Sequence, residues 1–151
     1  MIYWYIGQPG CGKTTLAKLH QKYFYDGGSR VIHLDGDDLR KIFSTSYKDK
    51  ENFTKEYRIE QTRILQKMVA YIADQGFNII ISTVNPYREV REEFKKSRKD
   101  VKEIYVTTSD VRGRESYWVK DFEEPLDNFT SAVTGNGKTP FEVLQNLKWN
   151  L

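Results

Sequence analysis

Cysteine is almost absent from these 151 residues: Cys11 stands alone, so no disulfide within the chain can staple a fold. That scarcity points to a reducing compartment, and the cytoplasm is the expected one. No apolar run approaches the roughly 18 residues that would span a bilayer, and the opening MIYWYIGQPG lacks a basic leader with a cleavage site, so neither membrane nor secretion is expected. Charge of one sign is also scarce. The net +3 left by 24 basic and 21 acidic residues suits an anionic ligand but is too small to argue for nucleic acid. Repeats, low-complexity tracts and linkers are missing, which leaves one domain over 1–151 built on one core.

What is present is an alternation of β-branched runs with helical patterns, the signature of a doubly wound parallel sheet in a three-layer α/β/α arrangement. Strands are expected at Ile2 to Ile6, Val31 to Leu34, Phe77 to Ile81 and around Ile104 to Val106. A helix from Lys13 to about Tyr25 would turn Leu16, Leu19 and Tyr23 inward and stop at Gly27-Gly28. Thr54 is placed to cap the longest helix, which runs to about Asp74 with Ile64, Leu65, Met68, Val69 and Ile72 on its core face. A charged helix from Tyr87 to Ser97, a short helical segment near Asp110 to Lys120 and an amphipathic piece from Phe141 to Leu147 complete the reading, with a Gly-rich loop before the last.

Gly7-Gln8-Pro9-Gly10-Cys11-Gly12-Lys13-Thr14 matches G-x-x-x-x-G-K-[ST] in full, with a strand before it and a helix after it. Glycines let the backbone wrap a phosphate and aim N–H groups at it, and the helix N-terminus adds its field. Gly7 to Thr15 are therefore the candidate ATP site. Lys13 would reach the β- and γ-phosphates, and the Thr14 hydroxyl would meet Mg2+. Cys11 reads as a small filler. A second G-K-T, at Gly137 to Thr139, has Ala132 where the first glycine belongs and no expected strand before it, and reads as a loop.

The strand Phe77 to Ile81 ends in Ser82, whereas motor ATPases usually carry a carboxylate there. The acids lie instead at the end of the second strand, as Asp35, Asp37 and Asp38. In an open α/β sheet that end faces the ligand. A carboxylate there can orient an acceptor hydroxyl and take its proton, or bind magnesium through water; the plain alternative is a helix cap or solvated turn. Arg40, and Arg58 with Gln61 and Thr62 along one helix stripe, could hold an anionic acceptor, with Phe43, Phe53 or Tyr87 against a base. Arg88 and Arg91 form a similar pair. For all of these a solvated face is the alternative. His33 alternates with apolar residues and reads as structural; His20 is placed near a helix surface.

Over about the first 110 residues the chain resembles the adenylylsulfate kinases. Leu34-Asp35-Gly36-Asp37-Asp38-Leu39-Arg40 is similar to that family's L-D-G-D-x-[LV]-R. Asn52-Phe53-Thr54 with Arg58 to Arg63 is similar to G-F-[ST] and R-x-E-N-[IV]-R, and Ser82 to Arg88 to S-x-I-S-P-[FY]-R. The resemblance implies phosphoryl transfer from ATP to the 3′-hydroxyl of adenosine 5′-phosphosulfate, with ATP and Mg2+ as cofactors. It implies catalytic Lys13, Asp35 and Asp37, with Thr14 and Asp35 toward the metal. Asp37, Arg40, Phe53, Arg58, Gln61, Val84 and Asn85 would then hold the sulfonucleotide, and a homodimer is allowed. Gln61 stands where the family has Asn and Asn85 where it has Ser, and the family's lid is shortened around 112–125. Asp37-Asp38-Leu39-Arg40 is also similar to a run in polynucleotide 5′-hydroxyl kinases, which would make nucleic acid the acceptor. A nucleotide-binding regulatory module is the non-enzymatic alternative.

Overall fold

The computed structural model describes residues 1–43 and 54–148. Five parallel strands form one sheet in the order β2-β3-β1-β4-β5: β1 Ile2–Ile6, β2 Val31–Asp35, β3 Asn78–Thr83, β4 Val101–Thr108 and β5 Thr130–Thr134. Helices α1 Lys13–Asp26, α2 Gly36–Phe43, α3 Lys55–Asp74, α4 Arg88–Ser97 and α5 Pro140–Lys148 connect and cover them.

The strand β1 explains the layering. All five of its residues are buried, because its side chains alternate between two cores. Tyr3 and Tyr5 join Leu16, Val143 and Leu147 beneath α1 and α5. Ile2, Trp4 and Ile6 join Leu39, Leu65, Val69 and Phe94 beneath α2, α3 and α4. Thr54 does cap α3, its hydroxyl accepting from the Tyr57 N–H at 3.2 Å.

Several expectations are corrected. The sheet has a fifth strand, β5, which its short Thr-Ser-Ala-Val-Thr sequence conceals. The second G-K-T therefore does follow a strand, yet it closes as a tight turn. Gly135 pairs with Lys138, and the Asp110 carboxylate fills the space above Gly135 and accepts from the Asn136 N–H at 3.1 Å. A carboxylate in that position leaves no cradle for phosphate. Between Asp110 and Lys120 only Glu115–Tyr117 is helical, as a single 3-10 turn. Ile64 and Tyr23 are exposed rather than inward. On α1 the buried stripe runs Leu16, His20, Phe24 at i, i+4 steps, so His20 is internal and bonded to the Tyr5 hydroxyl at 2.9 Å.

Arg88 and Arg91 are not an anion site. Arg88 donates to the Glu124 carbonyl at 2.9 and 2.7 Å. Arg91 is buried against Glu103 at 2.7 Å and donates to the carbonyls of Asn85 (2.8 Å) and Glu123 (2.5 Å). Lys95 shares the same Glu103 carboxylate. Because removing one member of a buried ion cluster strands its partner's charge, Arg91→Met is expected to cost about 3–5 kcal/mol. Urea unfolding of the variant measures this, and a loss below about 1 kcal/mol would show the cluster to be dispensable.

Candidate active site

Between β1 and α1 the chain turns through Gly10 (φ 82°) and Gly12 (φ 94°), conformations that side chains rarely adopt. Gly7 is excluded from substitution by contact: a Cβ there would lie 2.3 Å from the Val106 carbonyl oxygen of β4. The loop is thus wedged against β4, and β5, next beyond β4 in the sheet, braces it as well. The Thr134 hydroxyl donates to the Cys11 carbonyl at 2.7 Å. Cys11 is buried, which pushes its thiol up and keeps it protonated. Lys13 is buried too, its ammonium donating to the Gln8 carbonyl at 2.8 Å. Burial lowers its pKa, while Asp35 and Asp37 oppose that shift.

Asp35 reaches this loop from an edge strand. It is the register partner of Ser82 on β3, which in turn lies beside β1. Its Oδ2 accepts from Thr14 Oγ1 at 2.6 Å and from Ser82 Oγ at 2.8 Å, and its Oδ1 from the Asp37 N–H at 3.0 Å. Burial alone would raise its pKa. The hydrogen bonds from Thr14, Ser82 and Asp37 outweigh that and hold the carboxyl below the usual range. Gly36 then starts α2 in contact with Thr83, its Cβ position only 3.2 Å from the Thr83 methyl.

One cleft of ≈ 670 Å³ joins the loop to the acidic cluster. It is lined by Pro9, Gly10, Gly12, Lys13, Thr14 and Thr15 of the loop and the start of α1, and by Asp35. It is lined as well by Asp37 and Arg40 of α2, Arg58 and Gln61 of α3, and Val84 and Asn85 after β3. Arg40 lies 3.8 Å from Asp37. Asn85 is buried in a left-handed turn (φ 44°), its carbonyl held by Arg91. Gly7, Gln8 and Cys11 lie outside the cleft lining. Phe53 falls outside the described residues. Phe43 lines the cleft, whereas Tyr87 is buried with Lys55 over its ring.

Sequence reasoning located a shortened lid around 112–125 but named none of its residues for the site. The strap between β4 and β5 brings Arg112, Arg114, Tyr117 and Val119 to the cleft. The Gln8 side chain pins it: its amide donates to the Val119 carbonyl at 2.9 Å and accepts from the Val119 N–H at 2.8 Å. Trp118 Nε1 donates to the Pro9 carbonyl at 3.1 Å. The Arg114 side chain packs on Gly10, whose Cβ position lies 3.1 Å from the Arg114 Cβ. The signal available was Arg112-Gly113-Arg114 just past a strand that neighbours the loop strand.

The family model of adenylylsulphate kinase matches residues 1–120. The chain belongs to this family. It is accordingly an ATP-dependent kinase of the P-loop type. The adenylyl-sulfate kinase of Thermodesulfovibrio yellowstonii is 28% identical over 151 residues, covering 96% of this chain and 71% of that one. The cytidine diphosphoramidate kinase of Campylobacter jejuni is 29% identical over 136 residues, covering 84% and 74%. The structure of the Mycobacterium tuberculosis APS kinase CysC in complex with AMPPNP and APS superposes with a TM-score of 0.77 at 20% identity, covering 97% and 94%, and shares the three-layer fold. Among the described residues no helix is long and apolar enough to cross a membrane.

Proposed function

We propose that the protein transfers the γ-phosphoryl group of ATP to the 3′-hydroxyl of adenosine 5′-phosphosulfate, releasing ADP. The observation that carries this reading is one shared cleft. Lys13, Thr14 and Asp35 line it together with Asp37, Arg40, Arg58, Gln61 and Asn85, which stand at positions of the family's motifs.

The acceptor oxygen attacks the γ-phosphorus as the bond to the β,γ-bridging oxygen breaks, and the hydroxyl proton leaves to a carboxylate. Asp37 is the better base. Asp35 already accepts three hydrogen bonds, whereas the Asp37 side chain is largely exposed toward the cleft. Thr14 and Asp35 present a hydroxyl and an ionised carboxylate 2.6 Å apart, hard oxygen donors of the kind magnesium takes alongside phosphates and water. When bound, magnesium supplies charge neutralisation at the β- and γ-oxygens. Lys13 supplies it from the loop and Arg114 from the strap. In our reading the strap, 112–125, does the work of the family's longer lid within one kinase domain over 1–151, shielding the phosphates from water.

Arg58 is assigned to the acceptor's anionic group. Arg58→Ala should raise the acceptor KM about tenfold or more and leave the ATP KM within about twofold. A change confined to ATP would show the α3 stripe to be misassigned. A second reading, with a cytidine nucleotide as acceptor, is favoured by the likeness to the Campylobacter jejuni kinase and by Gln61 and Asn85, which depart from the adenylylsulfate pattern. ADP release from magnesium-ATP with adenosine 5′-phosphosulfate, a cytidine diphosphate derivative, a 5′-hydroxyl oligonucleotide or no acceptor separates these. Stimulation by the sulfonucleotide is expected. Stimulation only by the cytidine compound or the oligonucleotide would reassign the acceptor, and tight ATP binding without turnover on any acceptor would favour a regulatory module.

A further inference from the structure

The carboxylate that meets Thr14 comes from the edge strand β2, with β3 between it and β1. Ser82 bridges the gap. It is buried, it is the register partner of Asp35, and its Oγ lies 2.8 Å from Asp35 Oδ2 and 2.8 Å from His33 Nε2.

Proton counting fixes the direction of this chain. A serine hydroxyl carries one hydrogen, and an ionised carboxylate can only accept. The hydrogen of Ser82 must therefore point at Asp35, and the oxygen left with free lone pairs must take its second hydrogen bond from His33. That requires the hydrogen on His33 Nε2. With the opposite tautomer Ser82 would donate to His33 and face Asp35 oxygen to oxygen at 2.8 Å. The donors thus run from His33 to Ser82 to Asp35, where Thr14 donates to the same Oδ2 from the other side at 2.6 Å. An unpartnered Ser82 hydroxyl would be free to rotate away from Asp35.

We propose that His33 is a positioning residue for the phosphate end of the cleft. By donating to Ser82 it locks that hydroxyl onto Asp35 and so fixes the carboxylate oxygen shared with Thr14. His33 does not itself line the cleft, and its hydrogen bond toward the site runs through Ser82. This assignment rests on the proposed role of Thr14 and Asp35 in holding magnesium with the nucleotide. Outer-shell partners of this kind typically change metal affinity about 10–100-fold when removed.

The test compares His33→Leu, which keeps bulk without a donor, with His33→Gln, whose amide nitrogen restores one. Mn2+ binding in the presence of ADP is read by electron paramagnetic resonance, ADP binding without metal by calorimetry, and folding by thermal melts. His33→Leu is expected to weaken Mn2+ binding about tenfold and leave metal-free ADP affinity unchanged. His33→Gln is expected to recover most of the loss. Ser82→Ala should match His33→Leu, and the double variant should be no worse than either, because both act on one hydrogen bond. Wild-type Mn2+ affinity in His33→Leu, a His33→Gln as defective as His33→Leu, or additive losses in the double variant would each overturn the assignment alone. Wild-type protein whose nucleotide affinity ignores metal would overturn the proposed function together with it.

Discussion

Lys13→Ala is expected to lower kcat by about a thousandfold, the scale of losing a fixed charge at the transferring group. The ammonium is buried in the loop that faces the cleft, where water screens it little and its field acts at full strength. Burial makes its proton easier to lose, but Asp35 and Asp37 counter that, and the negative charge of a bound triphosphate adds in the same direction. A bound triphosphate therefore favours the charged ammonium. The loss should fall mainly on kcat, because the developing charge of the transition state exceeds that of the ground state. ADP release under saturating ATP measures it, with a thermal melt confirming the fold. A variant retaining more than about a tenth of wild-type turnover would remove Lys13 from the chemistry.

Asp37→Asn is expected to reduce kcat by about 10²–10⁴-fold, the range for losing a general base. Magnesium-ATP affinity should hold within about twofold, since Thr14 and Asp35 remain and the amide keeps the side-chain volume. Asp35→Asn should behave differently. Its Oδ2 accepts from two hydroxyls, so an amide nitrogen there forces at least one to turn away, and the loss should appear first in the magnesium dependence. Single-turnover measurements at varied magnesium distinguish the two. An identical response of both variants to magnesium would contradict the division between Asp37 as base and Asp35 as metal partner.

Local pattern explains which parts of the fold could be read in advance. The P-loop was legible because spacing, glycines, preceding strand and following helix all agree within Ile2–Asp26. The residues proposed for the acceptor were named from their motifs, and the structure brings Asp37, Arg40, Arg58, Gln61, Val84 and Asn85 to one cleft. The strand β5 was not, because Thr130–Thr134 carries only two buried residues and lies at a sheet edge, where the apolar signal is weakest. His20 was misjudged for the opposite reason. A polar residue on a stripe that continues Leu16 to Phe24 reads as surface until a partner such as the Tyr5 hydroxyl is known. The strap was located as a shortened lid, but which of its residues reach the cleft was hidden because it has almost no regular structure. What fixes it is the Gln8 amide, 111 residues away in sequence, and no local pattern reports such a contact. Asp35 is legible from its place at the end of a strand and from the L-D-G-D motif. Its direct contact with Thr14, beside Ser82, follows only from the register of β2 on β3.

The most direct measurement of the central claim is transfer of label from γ-³²P-ATP to adenosine 5′-phosphosulfate, with the position of the label in the product determined by a 3′-specific nucleotidase. Label at the ribose 3′-position, absent with Lys13→Ala and with Asp37→Asn, is the expected result. Label released only as inorganic phosphate, at the same rate with and without the sulfonucleotide, would contradict it.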